Sequence, residues 1–251
     1  MKGIPFARRP STISIRTKDQ MICDVAYAGR SVRMNAHNPN DIIQNEWVGG
    51  YFYETLAGSR QGMLNYIYHH LRPLSDGIWV DAGANVGNHT VFFSAICDAS
   101  RVVAVEPVKP NLEVLRANLE VNNIGNVDVY NCALGAAAGR CSMTLSEGNN
   151  SGLHEVMDGE DTEMRTLDDI LSQYAEPVRL IKIDVEDYNL PVLEGAKQTL
   201  AAHRPTVFIE CAHTVELISV NGFMTAHGYA LTRGLILNHT PTYLWKPVET
   251  V

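Results

Sequence analysis

The sequence predicts an α/β fold built on a doubly wound, mostly parallel sheet. From Ile78 onward, short apolar runs alternate with amphipathic segments of helical period. The first apolar run leads straight into a glycine turn, and the second and fifth end in a glutamate. Apolar runs without a polar alternate belong to strands covered on both faces, as parallel strands are.

The elements follow in order. Residues 1–75 read as an N-terminal elaboration, β-rich and then helical, and residues 76–251 as the main domain. Ser11–Arg16 alternates Ile13 and Ile15 with polar neighbours, and Met21–Ala28 and Ser31–Met34 flank a turn at Gly29-Arg30. Glu46–Leu71 carries Tyr51, Phe52, Tyr53, Tyr66 and Tyr68, which read as packing because aromatic side chains bury large areas. A helix over Gly62–Leu71 puts Met63, Ile67 and His70 on one side, and Pro73 with Ser75-Asp76-Gly77 breaks it.

Ile78-Trp79-Val80 is the first strand of the main domain. A helix over Asn88–Ile96, a strand over Arg101–Val105, a helix over Pro110–Asn122 and a strand over Val127–Tyr130 follow. Thr166–Tyr174 is a helix, with Thr166 at its N-cap and Asp169 three positions on. Leu180–Val185 and Thr206–Glu210 are strands, while Leu190–His203 and Val215–His227 are helices, the second ended by Gly228. Tyr229–Leu235 and Thr242–Trp245 form a terminal antiparallel hairpin around Asn238-His239-Thr240-Pro241.

Composition narrows the function. The 251 residues are 45% hydrophobic and 19% charged, a globular balance. Twenty basic against 28 acidic residues give a net charge of −8, and the only basic cluster is Arg8-Arg9, so nucleic acid is a poor partner. No stretch reaches the roughly 18 apolar residues of a membrane span. The opening MKGIPFARRP lacks a leader's apolar core, giving a cytoplasmic expectation. Five cysteines without a C-x-x-C read as reduced, buried small hydrophobes.

The chemistry concentrates in VDAGANVGNHT, residues 80–90, at the carboxyl end of the first strand. Gly83 and Gly87 let backbone approach a ligand without a Cβ in the way. Glu106 ends the second strand 19 residues after Gly87, the offset at which a carboxylate grips the vicinal hydroxyls of a ribose. The ligand is then a nucleoside-containing cofactor. A dinucleotide turn needs G-x-G-x-x-G, but Gly83-Ala84-Asn85-Val86-Gly87 lacks the middle glycine. With Asp81 beside the turn, the site suits an amino acid and a sulfonium better than a diphosphate, which favours S-adenosylmethionine over NAD. A NAD-dependent oxidoreductase and a non-catalytic binding protein with a degenerate cofactor pocket are the alternatives.

At these residues the chain resembles the FkbM-type methyltransferases, a branch of the class I, Rossmann-like methyltransferase fold. The likeness is carried by DAGANVGNHT (81–90), VEPVKP (105–110), LRANLEVN (115–122), NCALG (131–135), RTLDDIL (165–171), LIKIDVEDYNLPVLEGA (180–196) and RPTVFIEC (204–211). It implies that Asp81, Gly83, Asn85 and Gly87 surround the methionine part of the cofactor, with Thr90 in the same string. It further implies that Glu106 holds the ribose with Pro107 shaping its turn, that Asn131 to Ala133 border the adenine, and that Asp184 and Glu186 face the methyl group. The family usually reads D-V-E-G and then an acid one position on. Here Asp187 replaces the glycine and Asn189 the later acid.

Transfer to a hydroxyl needs a base within hydrogen-bond reach. Asp184 and Glu186, two apart on a strand, share a face, and Glu210 ends the fifth strand in the same layer with His213 three residues on. Glu186 or Glu210, with His213, is therefore expected to deprotonate or orient the acceptor. Lys182 shares the face of Asp184 and offers it an ion pair instead. The same carboxylates are hard oxygen donors, but carboxylates at strand ends fit a metal-free site equally, and no metal is assigned. His69-His70 read as surface or packing residues. The SEGNNSGLHE loop (146–155) could cover the site and bring His154 to it. The function expected is S-adenosylmethionine-dependent O-methylation of a small molecule or saccharide, with residues 1–75 forming a homodimer contact or a lid.

Overall fold

The computed structural model describes residues 13–17, 20–57, 60–144 and 154–249. The elaboration opens with an antiparallel meander of β1 (Ile13–Thr17), β2 (Gln20–Tyr27) and β3 (Arg30–Ala36), in that order. Tyr27 pairs with Arg30, so the β2–β3 loop is the two residues Ala28 and Gly29, at φ 51° and 84°. That is the tight hairpin geometry needing positive φ at both positions, one residue earlier than the expected Gly29-Arg30. Next come α1 (Ile42–Val48), the ribbon β4 (Leu56–Ala57) and β5 (Arg60–Gln61), and α2 (Met63–His70). Asp41 caps α1, its side chain accepting from the backbone N–H of Ile43 and Gln44. On α2 the buried residues are Met63, Leu64 and Ile67, whereas His70 is exposed and not on the packed side.

The main sheet begins with β6 (Ile78–Ala82). Then α3 (Asn88–Val91) runs on as a π turn through Phe92–Ile96, followed by β7 (Arg101–Val105), α4 (Lys109–Val121) and β8 (Val127–Tyr130). A small sheet follows, of β9 (Ala133–Leu134), β10 (Gly139–Met143) and β11 (Val156–Arg165). Sequence reading had no signal for it, because β11 is largely exposed and carries acids where a half-buried strand carries apolar residues. After α5 (Leu167–Leu171) come β12 (Val178–Ile183), α6 (Asn189–Glu194), α7 (Lys197–His203) and β13 (Thr206–Glu210). The chain closes with α8 (Thr214–Ala226), β14 (Tyr229–Leu231) and β15 (Thr242–Pro247).

The seven strands run in the order β14-β15-β13-β12-β6-β7-β8. The five consecutive strands β13, β12, β6, β7 and β8 pair in parallel, and β15 pairs antiparallel with both β13 and β14. Alternate residues of each strand feed two cores. Trp79, Val102, Leu180 and Phe208 face one side, and Ile78, Val80, Val103 and Ile181 the other. The expected mostly parallel, doubly covered sheet with a terminal hairpin is the observed architecture.

Two boundaries differ from expectation for identifiable reasons. The helix expected over Leu190–His203 breaks at Gly195-Ala196, where the Asp168 carboxylate accepts from Gln198 N, Thr199 N and the Thr199 hydroxyl and so caps α7 separately. The strand expected to reach Val185 ends at Ile183, because Glu186 and Asp187 take left-handed backbone at φ 44° and 57°. Residues 146–153 of the polar loop and the first residues of the first expected strand lie outside the described residues.

The elaboration is bound to the main sheet by one continuous core. Tyr27 and Phe52 each make edge-on contacts with Phe92 at 5.0 Å between ring centres. Asp98 accepts from both Arg30 and Arg72, and Asn35 N donates to Asn118 Oδ1 at 2.7 Å. No helix among the described residues is long and apolar enough to cross a membrane.

Candidate active site

A cavity of about 420 Å³ opens outside the carboxyl ends of β6, β7, β12 and β13. This is the crevice where strand order reverses, since the chain lays β7 and β8 on one side of β6 and then β12 and β13 on the other.

The glycine turn forms one wall. Gly83 at φ 77°, Asn85 at 49° and Gly87 at 91° fold it back beneath α3. A Cβ at Gly83 would stand 1.8 Å from the carbonyl oxygen of Asp184, so only glycine fits there. Glu106, 4% exposed, receives Asn85 N on Oε2 at 2.8 Å and Val108 N on Oε1 at 2.9 Å. Burial lifts its carboxyl to about 7, against the lowering effect of those two N–H bonds and of Lys182. Asn131 does not line the cavity. Its amide donates to the carbonyls of Glu106 and Pro107, both at 2.9 Å, and fixes that turn from behind, while Ala133 and Pro107 line the wall.

Asp81, Gly87 and Thr90 also stand behind the lining. Asp81 is fully buried, accepts from the Thr90 hydroxyl at 2.6 Å and lies 3.1 Å from Lys182 Nζ. Lys182 donates to the Gly83 carbonyl at 2.8 Å and reaches Asp184 Oδ2 at 3.4 Å. Desolvation alone would lower its pKa, yet the attraction of Asp81, Asp184 and Glu54 outweighs it and the net direction is up. Lys182 is therefore a cation that ties the turn to the opposite wall.

That opposite wall is acidic. Asp184, Glu186, Asp187, Glu210 and Glu155 line it, with Glu54 entering from the elaboration. Burial, then repulsion from Asp184, Asp187 and Glu155, raises Glu186 to about 7. Burial, then Asp184, Glu54 and Glu186, pushes Glu210 far above the carboxylate range, so it holds its proton at neutral pH. Asp184 and Glu186 thus meet in the cavity through a left-handed turn rather than as strand neighbours. His213 is exposed at the rim, at the N-cap of α8, and His154 lines the cavity with Nδ1 2.9 Å from the Thr144 carbonyl. Among the described residues no cluster of three or more His, Cys, Asp or Glu side chains has the geometry to hold a metal ion.

Sequence reasoning missed the contribution of the elaboration. Asn88 Oδ1 accepts from Trp47 Nε1 at 3.1 Å and Tyr53 N at 3.0 Å, and its amide donates to the Tyr53 carbonyl at 3.1 Å. This clamp brings Tyr53 and Glu54 to the cavity, where Glu54 Oε2 lies 2.7 Å from His89 Nε2. Both partners are buried. No spacing in the sequence joins residues 35 apart in separate elements, and His89 within GNHT was the one visible sign.

Strand order, glycine turn and acidic end of β7 together define a Rossmann-like methyltransferase fold. Residues 81–231 match the family model described as the methyltransferase FkbM domain, and the chain belongs to that family. It is 25% identical to Methyltransferase 1 of Beauveria bassiana (strain ARSEF 2860) over 149 residues, 48% of this chain and 58% of that protein. It is 26% identical to Methyltransferase sdnD of Sordaria araneosa over 155 residues, 47% of this chain and 60% of that protein. The matched stretch thus spans less than two thirds of either relative. Among solved structures, the FkbM methyltransferase of Methylobacillus flagellatus KT aligns with a TM-score of 0.49 at 21% identity, covering 68% of this chain and 44% of that one.

Proposed function

We propose that this methyltransferase uses S-adenosylmethionine and delivers its methyl group to an oxygen of a small molecule or saccharide. The carrying observation is Glu106. Each of its carboxylate oxygens accepts one backbone N–H and the Asn111 side chain is a third partner, so of the carboxylate's roughly four acceptor positions at least one remains for a ribose hydroxyl. Asn85 Oδ1, buried without a partner, offers a further acceptor to a bound donor such as an amino group. When bound, the cofactor supplies an electrophilic methyl on a sulfonium cation. An acidic lining favours that cation and repels the diphosphate of a dinucleotide.

Gly83 and Asn85 then border the methionine part, Pro107 and Ala133 the adenine side, and Asp184 the methyl. Asp81, Gly87, Thr90 and Asn131 act from behind by holding the turn and the Glu106-Pro107 backbone in shape. Glu210, protonated at neutral pH, donates a hydrogen bond to the acceptor and orients it, with Glu186 and His213 toward the mouth. In this reading residues 1–75 are an elaboration on the methyltransferase domain of residues 76–251. They cover the acceptor side or join two copies, and the setting is the cytoplasm without nucleic acid as partner.

Methyl-labelled S-adenosylmethionine incubated with a panel of hydroxylated small molecules and sugars tests this directly. Label is expected in an ether-linked methyl group, at the same rate with and without EDTA. Label on nitrogen or carbon would overturn the oxygen assignment, and loss of turnover in EDTA with recovery on adding Mg²⁺ would overturn the metal-free one.

A further inference from the structure

We propose that His89 is a catalytic residue that takes the acceptor's hydroxyl proton, with Glu54 as the positioning carboxylate behind it. This rests on reading the site as one that methylates oxygen. His89 is the second residue of α3, immediately after the glycine turn, so its ring stands beside the part of the cavity assigned to the methionine end of the cofactor. Its Nε2 is 2.7 Å from Glu54 Oε2, with the two side chains 8% and 7% exposed. A carboxylate only accepts, so the ring proton stands on Nε2 and the lone pair on Nδ1. Nδ1 has no hydrogen-bond partner among the described residues.

The pair is built rather than incidental. Glu54 has left-handed backbone at φ 65°, a conformation unfavourable for a non-glycine residue. It is held in place by Asn88, which binds both backbone polar groups of Tyr53, and by Gly62, where a Cβ would fall 2.0 Å from the Glu54 carbonyl oxygen. Strain that the surroundings over-determine is a mark of functional positions. His89 lies inside the stretch matched by the family model, 81–231, and Glu54 outside it, so the elaboration supplies half of the dyad. The other cavity groups are less suited. Glu210 already carries a proton, and half-buried Glu186 sits on a left-handed turn beside the like charge of Asp187.

The step balances as follows. A lone pair of the acceptor oxygen forms the new O–CH₃ bond as the C–S bond of the sulfonium breaks, its electron pair staying on sulfur as a neutral thioether. The O–H bond breaks, the proton goes to His89 Nδ1, and Glu54 stabilises the imidazolium charge. Around the pair, Tyr53, Lys182 and Glu210 are tied to Glu54 by mutual electrostatics, and Asp184 acts on the same three groups.

The test uses the full chain with ¹⁵N-labelled histidine and the variants His89→Gln and Glu54→Gln. Nitrogen NMR of the wild type, assigned by the signal lost in His89→Gln, is expected to show the Nε2-protonated ring with bare Nδ1. Calorimetry with S-adenosylhomocysteine is expected to give affinities within about threefold of wild type for both variants, showing folded sites. Methyl transfer to whichever panel alcohol reacts should fall about 10²- to 10⁴-fold in kcat for His89→Gln with KM little changed. Glu54→Gln should lower kcat less than His89→Gln does, again with KM little changed. Turnover of His89→Gln within threefold of wild type, the same loss in Glu186→Gln instead, or an Nδ1-protonated ring would each overturn the proposal. If no alcohol reacts, the ring tautomer decides. Absence of S-adenosylhomocysteine binding to the wild type would instead sink the cofactor reading, separately from the dyad.

Discussion

Lys182 and Asp81 are direct cross-strand partners on β12 and β6, and their side chains meet at 3.1 Å with neither reaching solvent. Lysine in the middle of the apolar run LIKI reads as an exception in the sequence, but here it is the cation that buried Asp81, half-buried Asp184 and the Gly83 carbonyl require. Removing one partner of such a pair strands the other charge in a low-dielectric interior. Lys182→Met is therefore expected to lose about 3–5 kcal/mol in urea unfolding. A loss below 1 kcal/mol would mean that Asp81 does not depend on Lys182 as its partner.

Glu106 carries the cofactor reading, and it can be weighed alone. Glu106→Ala removes the proposed acceptor for ribose hydroxyls together with the observed acceptor for Asn85 N and Val108 N. Affinity for S-adenosylhomocysteine is expected to drop about 10- to 100-fold, as a shrunken ligand-induced rise in thermal midpoint. An undiminished rise would place the ribose elsewhere.

The raised carboxyls set a pH dependence of stability. Glu106 and Glu186 are lifted to about 7 and Glu210 further. Between about pH 4.5 and 7 the folded chain therefore holds protons that the unfolded chain has released, and unfolding free energy falls as pH rises through that window. Asp98, held below the usual range by Arg30 and Arg72, acts in the opposite sense only at more acid pH. The ligand-free protein is expected to melt at higher temperature at pH 5 than at pH 8. The reverse order would show these groups ionised throughout.

At Asp187 the family pattern has glycine, and φ 57° shows that the turn keeps a glycine-like backbone. Asp187→Gly relieves left-handed strain and adds unfolded-state entropy, two opposing effects of about 1 kcal/mol each. Stability within about 1 kcal/mol and unaltered cofactor binding are expected in urea and calorimetric titrations. A large loss of either would make the Asp187 side chain structurally necessary.

Much of this was legible in the residues. The parallel strands are mostly apolar because both faces of the sheet are covered, and three of them, 101–105, 127–130 and 206–210, have the expected bounds. Thr166 caps α5 as its spacing with Asp169 indicates. The glycine turn and Glu106 meet as expected because local chain geometry alone brings a β6 end beside a β7 end. What stayed hidden depends on distant partners. The break before α7 comes from Asp168, 30 residues upstream, and the Glu54–His89 contact from a clamp between Asn88 and the elaboration. Tyr53, read as packing, lines the cavity for the same reason.

Calorimetric titration of the ligand-free chain with S-adenosylmethionine and, in parallel, with NAD bears most directly on a pocket shaped for an adenosyl sulfonium. One equivalent of S-adenosylmethionine should bind with a dissociation constant on the order of micromolar, and NAD should give no saturable heat. Saturable NAD binding with no S-adenosylmethionine binding would contradict it.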